Sequence, residues 1–450
     1  MAGTHRRPHA IMIPYPYQGH INPFVYLAMK LASHGFTITF LNTQSVHYRI
    51  SRAQLRANGT DIFTKARESG LDIRYATVSD GFPLSFDRSL NHDQFVEGLL
   101  HVFSAHVDEL VADLCKSDPH LQNRKDMIDY IPGVEAIKPT DLMSYLQAAD
   151  TGTVVHRVIY RAFEDIKKAD IIICNTVQEL ESQTLSALRK KQPTYAIGPI
   201  VSSFTSQSVS TSLWCESDCT QWLNSKPDGS VLYVSFGSHA HTTSRQDIWE
   251  IANGLLASGV NFLWVVRPDI VSPDESDFLP TGFVNAMKGK GLIIQWCSQI
   301  KVISHRAIGG FLSHCGWNSV LESIWCGIPL ICFPLFTDQF TNRKLVVNDW
   351  RIGINLCDRE TITREEVAEK IRYLMSRKSS EELRSAVMNV RRTLKKALPS
   401  DGSSERNFSL FIEEIKVQMK KECGASVEIP DQSANHVWVP NGVNLCQQAI

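Results

Sequence analysis

The stretch at residues 296–339, WCSQIKVISHRAIGGFLSHCGWNSVLESIWCGIPLICFPLFTDQ, constrains this chain more than any other. Its apolar GGFLS reads as a buried strand, His314-Cys315-Gly316-Trp317-Asn318 as a polar turn, residues 319–326 as a helix and residues 328–333 as the next strand. That succession is half of a parallel α/β sheet. A helix entered from a buried strand through a glycine turns unpaired N–H groups, and the positive end of its dipole, toward the carboxyl edge of the sheet. Phosphates settle there, so the turn predicts an anion site.

Asn318 and Ser319 fall on the first turn of that helix, with His314 just before it. Glu322, one turn in, offers two acceptor oxygens that suit a ribose diol. Asp338 and Gln339 follow the next strand at the same sheet edge, where they can bond sugar hydroxyls, and Trp296 offers a flat face for a base. Local readings compete at each position. Ser319-Val320-Leu321-Glu322 has the spacing of a capping box, which taken alone is the simpler reading. Asp338 can serve as an N-cap and Trp296 as ordinary packing. Cys297, His305, His314 and Cys315 do not suggest zinc, because no CxxC or HxxxH spacing accompanies them and adjacent His-Cys side chains diverge.

The joint order W-C-x-Q, H-C-G-W-N-S-x-x-E and P-x-x-x-D-Q resembles the signature box of plant family 1 UDP-sugar-dependent glycosyltransferases, of the GT-B fold. The match runs the full box without a gap. The resemblance implies that Trp296 stacks on uracil, that Cys297 beside it belongs to the donor site, and that Gln299 contacts the ribose or uracil side. It assigns the diphosphate to His314, Asn318 and Ser319, the ribose hydroxyls to Glu322, and the sugar to Trp317, Asp338 and Gln339. A final Gln goes with glucose as donor sugar in this family. Ser238, after an apolar run at 231–236, is expected near the diphosphate by the same resemblance, although from the residues alone it is equally a turn after a strand.

At 450 residues, 43% of them hydrophobic, the chain fits two domains better than one core. Its 46 Lys and Arg against 47 Asp and Glu leave a formal charge of −1, without a nucleic-acid footprint. The 11 cysteines are scattered and odd in number, with Cys174 and Cys332 inside apolar runs, which favours free thiols in a reducing compartment. Behind the basic start the apolar run is only residues 10–13, too short for a signal segment, and no long apolar run follows. A cytoplasmic monomer without membrane insertion is expected.

The chain opens β-α-β: a strand at 9–14, the loop Tyr15-Pro16-Tyr17-Gln18-Gly19-His20, a helix at 23–34, and strands at 36–41 and 71–78. This predicts a doubly wound sheet whose ligands collect at the carboxyl ends of its strands. His20 stands there, but a lone loop histidine is ordinarily a surface or capping residue. The run P-Y-P-Y-Q-G-H-I-N-P, however, resembles the family's N-terminal loop, whose His is the general base. Imidazole fits that role because its unperturbed pKa lies near neutrality. The loop's single glycine, in place of G-x-G-x-x-G, speaks against a nicotinamide-dependent oxidoreductase.

Relatives pair that His with an Asp at the end of an apolar strand. Here a helix-like run at 94–114 leads directly into Cys115-Lys116-Ser117-Asp118-Pro119-His120, and Ile131-Pro132-Gly133 arrives early. The expectation is an N-terminal domain shortened internally near 115–128, with fewer strands, unpaired edges and no identifiable carboxylate for His20.

The resulting prediction is an α/β, GT-B protein of two Rossmann-like doubly wound domains. Residues 1–200 form the acceptor side, 201–218 a Ser/Thr-rich linker and 219–400 the UDP-sugar-binding domain. Residues 401–422 form a helix packing back on the first domain, and 423–450 a disordered tail. The implied activity is inverting, metal-independent transfer of glucose from UDP-glucose, a co-substrate, to a hydroxyl or carboxyl of a small lipophilic plant metabolite, without a cofactor. The alternative is an impaired isoform that binds UDP-sugar without efficient transfer.

Overall fold

The structure, a computed structural model, describes residues 8–54, 62–88, 91–99, 127–129, 131–134, 136–147, 153–200, 211–237, 244–267, 279–357 and 361–424. In the first half, β1 (His9–Met12), β2 (Thr37–Thr43) and β3 (Ile73–Val78) form a parallel sheet in that order. A parallel pair follows, β4 (Ile172–Cys174) and β5 (Thr194–Ala196). The second half holds β6 (Val231–Ser235), β7 (Asn261–Val265), β8 (Gly291–Ile294), β9 (Ile308–Ser313), β10 (Leu330–Cys332) and β11 (Gly353–Asn355). They form one parallel sheet in the order β11-β10-β9-β6-β7-β8. That is the doubly wound order, with its switch point between β6 and β9, where a crevice opens beyond the carboxyl ends.

A parallel sheet covered by helices must be apolar on both faces. Along β6, Val231 and Tyr233 enter one core with Leu263, Phe311 and Leu330, while Leu232 and Val234 enter the other with Phe262, Trp264 and Leu312. Each large aliphatic side chain so buried stabilises by about 1.5–3 kcal/mol. Among the described residues the first half is less closed: β1 hydrogen-bonds only to β2, and Ile11 and Ile13 are 48% and 38% exposed.

The last helix, Ser403–Gly424, follows the second half in the chain but buries Phe408, Phe411, Ile412 and Ile415 in the core of the first half, against Phe24, Leu27, Leu31 and Phe36. Asn407 Nδ2 caps the Ala196 carbonyl at 2.9 Å.

Several expectations need correction. The first helix runs Gln18–Ser33, so His20 lies in its first turn and not in a loop. The second part of the expected linker is pinned: Gln18 Nε2 donates to Thr211 O at 2.8 Å, and Leu213 N donates to Gln18 Oε1 at 2.8 Å. The proposed shortening near 115–128 with Asp118, the first part of the linker, Ser238 and the tail from 425 lie outside the described residues, apart from 127–128.

Candidate active site

The cradle at the switch point begins where β9 ends. Ser313 Oγ accepts from Cys315 N at 3.1 Å, and Cys315 takes a left-handed φ of 66°, a conformation that non-glycine residues hold mainly at functional turns. Gly316 is the N-cap of the helix Trp317–Cys326. The His314 ring fills the space between two glycines: a Cβ on Gly237 or Gly316 would lie 2.4 or 2.5 Å from its Nε2. Burial pushes the His314 pKa down to about 4, leaving a neutral imidazole. Its Nδ1 is buried with no hydrogen-bond partner among the described residues, as expected of a group that meets a ligand.

The capping-box reading of Ser319 and Glu322 is overturned. Because Gly316 starts the helix, Ser319 is already inside it and Glu322 lies a turn further on. Both are instead joined by Gln299, whose Nε2 donates to Ser319 Oγ at 2.9 Å and to Glu322 Oε2 at 2.8 Å. Tyr233 OH donates to Gln299 Oε1 at 3.3 Å and fixes the amide's orientation. Burial raises the Glu322 pKa to about 7, with the Gln299 bond opposing the shift.

Cys297 is turned into the core beside Tyr233 OH, 3.6 Å from its Sγ, and burial pushes its thiol up to about 12. Trp317 directs its indole N–H across the interface to Asn175 O at 2.7 Å. Trp296 packs on Trp214, ring centroids 4.4 Å apart, and Trp214 in turn carries the guanidinium groups of Arg49 and Arg267 at 4.6 and 4.8 Å. Trp214, Arg49 and Arg267 were absent from the sequence reading, and no motif spacing signals them.

Asp338 occupies an N-cap position, but its side chain makes no capping bond. Its carboxylate accepts from Thr337 Oγ1 at 2.9 Å and from Asn342 Nδ2 at 2.7 Å, and burial raises its pKa to about 6. Asn342 Nδ2 also reaches Cys315 O at 3.0 Å, tying this loop to the one before the helix. Gln339 Oε1 accepts from Leu335 N at 2.9 Å and Phe336 N at 3.2 Å. What Gln339 offers a ligand is therefore its Nε2 donor.

Gly19, the residue before His20, meets this cradle from the other half. Pro23 lies inside the first helix and has no N–H, so the carbonyl four residues back, Gly19 O, gets no helical bond. Asn318 Nδ2 donates to that carbonyl at 2.6 Å. The start of the donor helix thus abuts the residue preceding His20. The Tyr15 ring stands edge-on to His20 at 5.4 Å, and Tyr15 also lines an apolar pocket of about 170 Å³ with Ile13, Pro14, Val96, Leu99 and Val158. Burial alone pushes the His20 pKa down to about 4. No carboxylate hydrogen-bonds its ring among the described residues.

Two Rossmann-like halves with a polar cradle at the switch point of one, and a histidine opposite it on the first helix of the other, define the GT-B class. The families described as UDP-glucoronosyl and UDP-glucosyl transferase and as glycosyltransferase, N-terminal domain, match residues 210–396 and 9–128. UDP-glycosyltransferase 86A1 of Arabidopsis thaliana is 55% identical over an alignment covering 91% of this chain and 95% of its own. The 7-deoxyloganetin glucosyltransferase of Catharanthus roseus is 33% identical, covering 91% and 97%. Phytolacca americana UGT2, solved with UDP-2fluoro-glucose and pterostilbene, superposes with a TM-score of 0.68 at 26% identity, covering 90% of this chain and 99% of that one. Os79 from O. sativa, solved with UDP, gives 0.72 at 25%, covering 90% and 100%. The chain belongs to the plant family 1 UDP-glycosyltransferases and is a transferase of that kind. Among the described residues no helix is long and apolar enough to cross a membrane.

Proposed function

We propose that the protein transfers glucose from UDP-glucose, with inversion, to a hydroxyl or carboxyl of a small lipophilic metabolite, with His20 as general base. The observation that carries this reading is the 2.6 Å bond from Asn318 to the Gly19 carbonyl, which brings the start of the helix Trp317–Cys326 against the residue before the histidine. His20 takes the proton of an acceptor hydroxyl, whose oxygen forms a bond to the anomeric carbon. The bond from that carbon to the phosphate oxygen breaks on the opposite face, and UDP departs with the electron pair.

Ser319 Oγ already accepts from Gln299, so its hydrogen is left to donate to the departing diphosphate. The helix start and His314 lie beside it, and donors fixed in advance are where such sites gain most of their rate. Gln339 supports glucose as the sugar, and the apolar pocket beside Tyr15 supports a lipophilic acceptor. Replacing His20 tests the proposal. His20→Ala is expected to lower kcat by about 10²–10⁴ in assays with UDP-glucose and a panel of phenolic and terpenoid alcohols, while UDP-glucose still binds. Undiminished glucoside formation would refute the assignment.

A second reading, an isoform that holds UDP-glucose without efficient transfer, is favoured by the lack of a carboxylate on the His20 ring among the described residues. An imidazole depressed by burial is a weak base, and a carboxylate partner would raise it. The same incubation separates the two: glucoside and free UDP support transfer, whereas unchanged UDP-glucose supports binding alone.

A further inference from the structure

A segment of the acceptor half is docked on the loop that carries Asp338 and Gln339. Ser144 N donates to Thr337 O at 3.0 Å, and Thr337 N donates to Ser144 Oγ at 2.8 Å, so one serine satisfies both backbone groups of one threonine. Thr341 Oγ1 donates to the Asp141 carbonyl at 2.8 Å, and the Arg343 guanidinium pairs with the Asp141 carboxylate, itself only 10% exposed.

Thr337 is what these bonds restrain. Its φ is 57°, left-handed in a β-branched residue, a strained conformation that persists only when the surroundings over-determine it. Thr337 Oγ1 then donates to Asp338 Oδ1 at 2.9 Å, passing the restraint to the carboxylate. Tyr145, next to Ser144, has its phenol pKa raised first by burial and then by the charge of Asp338, which places the two side chains near each other.

We infer that Ser144 and Asp141 are positioning residues for donor-sugar recognition: from the acceptor half they lock the left-handed turn at Thr337 that aims Asp338 and Gln339 at the sugar. The inference rests on the reading of Asp338 and Gln339 as sugar contacts. Gln299 with Ser319 and Glu322, and His314, are held by groups of their own half and not by this segment, so the sugar end is expected to feel its loss more than the nucleotide end.

The test compares the affinities of the full-length protein for UDP and for UDP-glucose. In Ser144→Ala, UDP is expected to bind within about twofold of the parent while UDP-glucose binds about tenfold more weakly, the loss of roughly one hydrogen bond. Preference for UDP-glucose over UDP-galactose is expected to shrink as well. Ser144→Thr, which keeps the hydroxyl, is expected to restore both, and Thr341→Val to reproduce the selective loss from a second point of the lock.

Parallel weakening of UDP and UDP-glucose marks general loosening and overturns the inference, as does unchanged UDP-glucose affinity. Gln339→Ala separates the layers. If it leaves UDP-glucose affinity intact, the sugar-site reading fails; if it weakens that affinity and Ser144→Ala does not, only the positioning role fails.

Discussion

The donor half and the acceptor half reach their sites by different routes. In the donor half six strands hydrogen-bond in one array, and every side chain assigned to the nucleotide or sugar within residues 296–339 is braced by neighbours from the same half, except Trp296, Trp317, Asn318 and the turn at Thr337. In the acceptor half the described strands fall into sheets of three and two, and the core is completed by a helix from the far end of the chain. His20 is backed by Tyr15, by the Gln18 anchor to Thr211 and Leu213, and by Asn318 from across the cleft. Among the described residues, the single sheet fixes most of its own site, whereas the divided one draws its precision from elsewhere in the chain.

The sharpest way to break that comparison is to remove the borrowed core. Phe408→Ala deletes a fully buried ring at the first half's centre and is expected to cost about 3–5 kcal/mol. If the halves differ as described, thermal unfolding splits: the acceptor half melts early, and UDP still raises the melting temperature of the donor half. A single cooperative loss with no UDP response would mean that the two halves stand or fall together.

Protonation sharpens the contrast, because burial moves the key groups in opposite directions. Glu322 is raised to about 7, so the folded state favours its protonated form; its stability contribution is present below the ordinary glutamate range and is lost as pH rises toward 7. Its ionised form is the better acceptor for a ribose diol. UDP affinity is therefore expected to increase as pH rises through about 7, and Glu322→Gln to abolish that slope at a cost of about 1.5–3 kcal/mol in binding. His20 is lowered to about 4; its contribution is present above the ordinary imidazole value and is lost as pH falls through about 4. kcat is then expected to show no bend near 6.5 and to fall only toward about 4. A bend near 6.5 would show that His20 titrates as a solvated imidazole.

The same contrast governs what was legible in the sequence. The order of strand, turn, helix and strand around His314 could be read because its cause is local: apolar periodicity and a glycine entry. Ser319 and Glu322 had the spacing of a cap, but spacing does not say where a helix begins, and Gly316 starts this one earlier. The helical pattern in the sequence began at Pro23. The helix instead begins at Gln18 and uses the proline to free the Gly19 carbonyl. Ser144 with Thr337, and Gln18 with Leu213, are pairs 193 and 195 residues apart whose members carry no periodic or spacing signal. The segment from which the sequence reading expected no carboxylate for His20, Cys115-Lys116-Ser117-Asp118, lies outside the described residues, so local reading ends there.

The smallest effect tests whether the brace between the far helix and the first half is apolar or ionic. Lys30 Nζ lies 2.8 Å from Glu405 Oε2 and 4.1 Å from the Phe408 ring centroid, with side chains of the ion pair 34% and 28% exposed. Partly exposed pairs are screened by water and salt and contribute about 0–1 kcal/mol. Lys30→Met keeps most of the stem over the ring and removes the charge, so the melting temperature is expected to move by no more than a few degrees. The parent is expected to be nearly insensitive to added salt. A loss comparable to that of Phe408→Ala, or steep salt dependence in the parent, would show that the acceptor half is held by charge at its rim and not by the aromatic core beneath it.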